Sequence, residues 1–366
     1  MSSAPINVGV VGLGWWSDVL ANCTEDSSFI KFTTCFSRSK EKRQKFAEDF
    51  DCEAAGSLEE MLETPGLDAV VITTPNNAHL EIVRAAAKAG KHVFVEKPIA
   101  NDIAEAFEIE RICRGAGVIL SIGHSYRRHS GIRHIAELIK NDELGRISLA
   151  EGVFSKNRGL RLSGPQDWRF QSAELPGGCL MQIGIHQIEN LLFLLGDIVE
   201  VSSMMARLET KAEIEDVGSV LLRFKSGAIG FVTADYISAD RFELTVSGTK
   251  AIARFNLQSG VSLLKQGEKN FSSLNVPPND YLRVQMEEFG SCVRNGTSPE
   301  VGAKEAIAPL AVIHAAIKSN KERRVVTIEE VLESSLRLSI QREAATESVD
   351  QTLRLRPDGS ARRNAG

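Results

Sequence analysis

The chain has 366 residues, 43% of them hydrophobic and 25% charged, with a formal net charge of −5. At roughly 150 residues per domain this predicts about two cores, and the composition excludes disordered, fibrous and membrane-channel classes. A negative net charge supplies no field for phosphate backbones, so nucleic acid is excluded as a primary partner and a small molecule is expected. The six cysteines, Cys23, Cys35, Cys52, Cys113, Cys179 and Cys292, have neither a C-x-x-C pair nor metal spacing. They predict buried thiols in a reducing compartment, with no disulfide and no metal. The opening Met-Ser-Ser-Ala-Pro lacks the features of a leader, and no apolar run approaches ~18 residues, so a cytoplasmic protein with no membrane partner is expected.

From Ile6 to Ile122, short apolar β-branched runs alternate with helical patterns, which predicts βαβ units around a parallel sheet. The strands are expected at Ile6 to Val11, Ile30 to Phe36, Ala69 to Thr73, His92 to Glu96 and Val118 to Ile122. Helices are expected at Lys40 to Phe50, Ser57 to Glu63, Ala78 to Ala89 and Asp102 to Ala116. Ser57 and Glu60 form a capping-box pattern, and Gly90 and Gly117 stand just past two helix ends.

After Ile122 the rhythm changes. A helix from Ser130 to Asn141 and a strand from Ile147 to Val153 lead into an irregular polar segment, Ser155 to Pro176. One helix, Leu180 to Leu195, then precedes strands at Val199 to Ala206, Val217 to Phe224, Ala228 to Tyr236, Phe242 to Val246, Ile252 to Phe255 and Val261 to Leu264. Turn signals such as Ser226-Gly227 and Ser247-Gly248 predict a largely antiparallel sheet. Helices at Tyr281 to Arg294 and Lys304 to Asn320, a strand at Val325 to Thr327 and a last helix follow. The organisation expected is a doubly wound α/β domain at 1–125, an α+β domain on an open, largely antiparallel sheet at 126–346, and a mobile polar tail at 347–366.

The first strand runs into Gly12-Leu13-Gly14-Trp15-Trp16-Ser17, the first two glycines of a dinucleotide fingerprint with Ser17 at the third position. Such glycines let a pyrophosphate approach backbone N–H groups at a helix N-terminus, although a plain strand-to-helix turn reads the same. At the end of the second strand, where an acidic residue takes the ribose hydroxyls of NAD, stand Ser37 and Arg38. A hydroxyl and a fork-shaped cation suit a 2′-phosphate, which favours NADP over NAD; the other reading of Arg38, Lys40 and Lys42 is a solvated helix start. Two further segments end parallel strands, at the sheet edge where ligands bind: Thr74-Pro75-Asn76 with His79, and Glu96-Lys97-Pro98. His79 equally suits a helix cap. Lys97, with an ordinary pKa of about 10.4 that burial lowers, can donate to a substrate oxygen or relay a proton. On the Leu180 to Leu195 helix, Gln182, His186 and Glu189 share one face at i, i+4 and i+7. By itself that helix reads equally as carrying a satisfied core histidine.

Together these residues resemble the glucose-fructose oxidoreductase / inositol dehydrogenase (Gfo/Idh/MocA) family over about residues 5 to 330. The likeness rests on Gly12/Gly14, Thr74-Pro75-Asn76 with His79, Glu96-Lys97-Pro98, Tyr126-Arg127, Trp168-Arg169, Gly177-Gly178, Gly184 and His186. It implies a Rossmann domain followed by a C-terminal α+β sheet that forms a homodimer or homotetramer. It also implies hydride transfer between nicotinamide and a carbinol carbon, with Lys97 and His186 serving the proton. The cofactor contacts it implies are Gly12, Gly14, Trp15, Trp16, Ser37, Arg38, Thr74, Pro75, Asn76, His79, Glu96 and Lys97. Substrate contacts are expected from Gln182, Tyr126, Arg127, Trp168, Arg169 and Glu189. The expected substrate is a sugar, a cyclitol or a related cyclic diol. One departure stands out: Gln182 replaces the family's usual Asp four residues before the histidine. It opens two alternatives, a carboxylated, aromatic-derived dihydrodiol paired by Arg127, Arg128, Arg158, Arg161 or Arg169, and a non-catalytic NADP-sensing regulator.

Overall fold

The computed structural model describes residues 4–161, 164 and 167–354. In it β1 (Ile6–Val11), β2 (Ile30–Phe36), β3 (Glu53–Ala54), β4 (Ala69–Ile72), β5 (His92–Val95) and β6 (Leu120–Ile122) form one sheet in the order β3-β2-β1-β4-β5-β6. Every adjacent pair is parallel. The crossovers run through α1 (Trp15–Cys23), α2 (Lys40–Phe50), α3 (Leu58–Leu62), α4 (His79–Lys88) and α5 (Ile103–Ala116). β4 is buried at each position, as a parallel strand covered on both faces must be. The strand order reverses between β1 and β4, which opens a crevice at their carboxyl ends. At α3 the predicted capping box is half formed. Ser57 Oγ accepts from the Glu60 N–H at 3.1 Å, but the Glu60 carboxylate takes the Gly56 N–H, one residue earlier than a reciprocal box requires.

The second half holds α6 (Ser130–Lys140), β7 (Ile147–Ser155), α7 (Ile185–Leu195), β8 (Ile198–Ala206), β9 (Val217–Phe224), β10 (Ile229–Asp235), β11 (Arg241–Gly248), β12 (Ala251–Asn256), β13 (Gly260–Lys265) and β14 (Ser272–Ser273). It ends with α8 (Tyr281–Asn295), α9 (Ala303–Glu322), β15 (Val326–Thr327) and α10 (Ile328–Arg354). The nine strands follow the order β14-β13-β12-β11-β7-β10-β9-β8-β15. The sheet is largely antiparallel, with one exception: β7 inserts between β11 and β10 and runs parallel to β10. Gly248 is the last residue of β11 rather than the turn itself. A Cβ there would stand 2.0 Å from the Leu144 carbonyl oxygen, so the glycine serves a close backbone approach.

Three other expectations change. The helix expected to be regular from Leu180 starts as a π-helical turn, Leu180–Gly184. The segment expected to be irregular contains short 3₁₀ turns at Gly159–Arg161 and Trp168–Phe170. α10 continues through the stretch expected as a tail as far as Arg354, because no proline or glycine interrupts it before Pro357; residues 355–366 lie outside the described residues. In addition, α8 leaves its own sheet and packs on the first. Met286 and Phe289 join the core beneath β1 and β5, with the Phe289 ring 5.6 Å from Phe94. Among the described residues no helix is long and apolar enough to cross a membrane.

Candidate active site

At the crevice above β1 and β4 lies a cavity of about 830 Å³. Gly12 has φ +94°, and a Cβ on it would come within 2.7 Å of the Thr74 nitrogen, so only glycine fits this turn. Gly14 differs: nothing stands within 4 Å of where its Cβ would be. That open cradle faces the start of α1, where unpaired N–H groups and the helix dipole favour a phosphate. Ser17, at the fingerprint's third position, is fully buried. Its hydroxyl accepts from the Gly14 N–H at 3.0 Å and donates to the Gly14 carbonyl at 2.6 Å, so it braces the turn that a third glycine would only leave room for. The cavity is also lined by Trp15, Trp16, Ser37, Arg38, Ser39, Lys42, Thr74, Pro75, Trp168 and Arg169. Among the described residues no carboxylate lines it. A dinucleotide therefore fits this cavity both in shape and in charge.

Deeper in the cleft, β5 ends in Glu96 and Lys97. Lys97 is partly exposed, and its Nζ donates to the Gln182 carbonyl at 2.8 Å. That carbonyl lies within the π turn Leu180–Gly184, a kind of turn frequent at functional sites. Burial lowers the Lys97 ammonium to about 8; Arg169, Arg158 and Lys156 push the same way, and Glu96 opposes them. Burial raises the Glu96 carboxyl to about 7, against the Trp16 indole N–H, the Lys97 charge and the Lys97 backbone N–H. The Lys97 N–H donates to Glu96 Oε2 at 3.2 Å. Gly123 makes room for this carboxylate, since a Cβ there would meet it at 2.6 Å. His186 follows the π turn at the start of α7, edge-on to the Tyr126 ring at 4.8 Å. Burial, then Lys97, His124 and Lys156, hold its imidazole well below the usual range, so it is neutral at pH 7.

A family model described as "Oxidoreductase family, NAD-binding Rossmann fold" matches residues 6–124, and the GFO/IDH/MocA C-terminal domain model matches residues 132–254. The chain belongs to the Gfo/Idh/MocA oxidoreductase family. It is 28% identical to myo-inositol 2-dehydrogenase of Thermotoga maritima, over 89% of this chain and 100% of that one. It is 29% identical to D-xylose 1-dehydrogenase (NADP(+)) 2 of Haloferax volcanii, over 75% of this chain and 85% of that one. A solved structure described as a candidate NADPH-dependent oxidoreductase from Desulfitobacterium hafniense superposes with a TM-score of 0.85 at 34% identity, covering 90% of this chain and 100% of that one. As a Gfo/Idh/MocA member the chain is an NAD(P)-dependent oxidoreductase acting on CH–OH groups.

Several residues expected in the Gfo/Idh/MocA site stand elsewhere. Arg127 and Glu189 were expected to meet substrate, yet they form a buried ion pair with each other, and Arg127 also lies 3.8 Å from Glu300. The i, i+4, i+7 face that grouped Glu189 with Gln182 fails because the π turn changes the rotation per residue between Gln182 and His186. Arg128 is likewise paired, with Glu288. His79 is buried between the carbonyls of Ile99 and Thr74, each 3.2 Å from a ring nitrogen; it ties two site loops together and does not line the cavity. Asn76 does the same, donating to Asn101 Oδ1 at 3.0 Å. Glu96 reaches the site through Lys97 rather than through the cavity wall. Trp168 and Arg169, expected at the substrate, line the cavity of the glycine turn. Tyr126 stacks on Phe242 and Tyr281 beside His186. Sequence reasoning missed His124, fully buried just after β6, both of whose ring nitrogens lack a partner among the described residues. Its one signal was its place at the carboxyl edge of a parallel strand. Lys42 was named only as part of a solvated helix, yet it faces the cavity.

Proposed function

We propose that the protein prefers NADP and moves hydride between nicotinamide and a hydroxyl or carbonyl carbon of a sugar, a cyclitol or a related cyclic diol. The observation that carries the cofactor choice is the β2 end of the cavity, where Ser37, Arg38, Ser39 and Lys42 line the wall without a carboxylate. A ribose 2′-phosphate finds two cations there, whereas free ribose hydroxyls find no acidic partner. Arg43 donates to the Ser37 carbonyl at 2.6 Å and so holds the loop in place. The relatives support the substrate class, since they are dehydrogenases of an inositol and of an aldose. A homodimer or homotetramer through the C-terminal sheet belongs to the same reading.

When bound, nicotinamide supplies or accepts the hydride. The chain's own work is on the proton and on position. Lys97, anchored to the Gln182 carbonyl, is poised to take a proton from a substrate hydroxyl or give one to a carbonyl, since its pKa lies near operating pH. Neutral His186 shares that role, held in orientation by the Tyr126 and Phe154 rings.

Fluorescence titration tests the cofactor choice. NADPH should bind roughly ten- to a hundredfold more tightly than NADH, the worth of one charged contact, and Arg38→Ala should remove most of that difference. Equal affinities overturn the NADP preference. Loss or gain of NADPH fluorescence with a panel of sugars, cyclitols and dihydrodiols tests the chemistry. NADPH binding with no turnover on any of them would instead indicate a sensor on the same scaffold.

A further inference from the structure

Beyond the cofactor cavity, the second domain carries a group of cations that the proton chemistry leaves unused. The segment after β7 is pinned to the end of β10: the Lys156 N–H donates to the Asp235 carbonyl at 2.8 Å, and the Arg158 and Gly159 N–H groups donate to the Tyr236 carbonyl at 3.0 and 2.8 Å. These bonds set Arg158 beside Tyr236. Arg169 has its guanidinium carbon 4.3 Å from the centroid of the Trp168 ring and one nitrogen 3.5 Å from Asp167. The Arg169 Nε–H is buried without an acceptor, and so is the hydroxyl of Tyr236, a residue that is 0% exposed. Both guanidinium charges act on that hydroxyl, lowering its pKa against the burial that raises it. Among the described residues neither Lys156 nor Arg158 has a carboxylate partner. Gln182, whose carbonyl accepts from the Lys97 Nζ, adds no compensating charge. Arg158, Arg169 and Tyr236 act on one another electrostatically, and two buried donors without an acceptor among nearby cations mark a place where an anion is missing.

We propose that Arg158, Arg169 and Tyr236 form a subsite for a carboxylate carried by the substrate, so that the enzyme takes a sugar acid or a carboxylated cyclic diol in preference to a neutral polyol. This rests on the reading of the cleft as a substrate site. The cofactor's phosphates are the other source of an anion, but Lys156, Arg158 and Tyr236 do not line the cofactor cavity, and only Arg169 borders both.

Isothermal titration calorimetry on the full chain saturated with NADP⁺, with malonate as probe and malonamide as its uncharged match, tests the proposal. Malonate should bind at least about tenfold more tightly than malonamide, and Arg158→Ala and the isosteric Tyr236→Phe should each weaken malonate by roughly tenfold or more. NADP⁺ affinity and the thermal midpoint should stay unchanged in both variants. Malonate that displaces NADP⁺, or a loss of NADP⁺ affinity in Arg158→Ala, assigns the cations to the cofactor and overturns the proposal. Equal binding of the two probes, or unaltered malonate affinity in both variants, overturns it as well. Turnover of neutral sugars without malonate binding sinks the subsite and leaves the oxidoreductase reading intact. Malonate binding by a protein that turns over neither sugars nor sugar acids sinks that reading while the subsite stands.

Discussion

At the scale of single residues, the proposed proton role of Lys97 makes the Glu96–Lys97 pair the group that should set the response of the reaction to pH. Taking a proton from a hydroxyl requires the neutral Lys97 amine, so the rate of substrate oxidation should rise with pH through about 8, while the reverse reduction, which needs the ammonium, should fall through the same point. Lys97→Met should abolish this limb and lower turnover by roughly 10² to 10⁴, with NADPH still bound. The sign of a second change follows from the charges around the amine: Glu96 holds the Lys97 pKa up, so Glu96→Gln should move the limb to lower pH. Rate profiles against pH for the wild type and both variants check this. A limb that survives in Lys97→Met belongs to another group, with neutral His186 the first to examine by His186→Asn. Lys97 stood out by residue type and by its place at the end of β5, whereas His186 lies on α7 and its proposed role came from the family resemblance, not from its helix alone. Arg127 and Glu189 were not legible, because opposite charges far apart in sequence give no sign that they neutralise each other until the fold brings them together.

At the scale of elements, strands and crossover helices were legible because apolar β-branched runs and helical periodicity fall in register with one parallel sheet. The π turn was not, since an extra residue in a helix leaves no mark in a short stretch such as Leu180 to Ile185. The insertion of β7 beside β10 was equally hidden, because strand order depends on packing rather than on local pattern. Glycines carry what the element pattern omits, and two of them separate folding from binding. Gly178 has φ +46°, and a Cβ on it would stand 2.2 Å from the Glu215 carbonyl oxygen. Gly178→Ala should therefore cost about 1–3 kcal/mol through strain, read as a lower denaturant midpoint. Gly14 has φ −139° and an open cradle, so Gly14→Ala should leave the midpoint unchanged and weaken NADPH binding, the added methyl occupying the pyrophosphate's place. If both variants lost stability alike, the cradle would be a packing feature and not a binding one.

At the scale of the whole molecule, the two halves do not stand apart. α8 inserts Met286 and Phe289 beneath the first sheet, and the Ser27 hydroxyl donates to Glu287 at 3.0 Å, so the strand end that carries Lys97 is braced from the second half. Among the described residues, β9 of the nine-stranded sheet buries one face and leaves the other exposed. Gly218, Val220, Leu222 and Phe224 of β9 turn inward, on the side where α7 and α9 pack against the sheet, while Ser219, Leu221 and Arg223 turn outward. Leu221 is 53% exposed and pairs across the strands with Phe231 of β10; Met204 of β8 is 83% exposed. An outward row of large apolar side chains on a broad sheet is what a subunit contact covers, and it lies on neither wall of the cofactor cavity. Light scattering of the purified protein should therefore give at least a dimer. Leu221→Asp combined with Phe231→Glu should shift it toward a monomer, because burying those carboxylates against a second sheet is unfavourable. NADPH affinity should be retained in that variant, since the cavity draws none of its lining from this face. A wild-type protein that stays monomeric at high concentration would mean that the outward row meets solvent alone and that assembly through this sheet is not part of how the enzyme works.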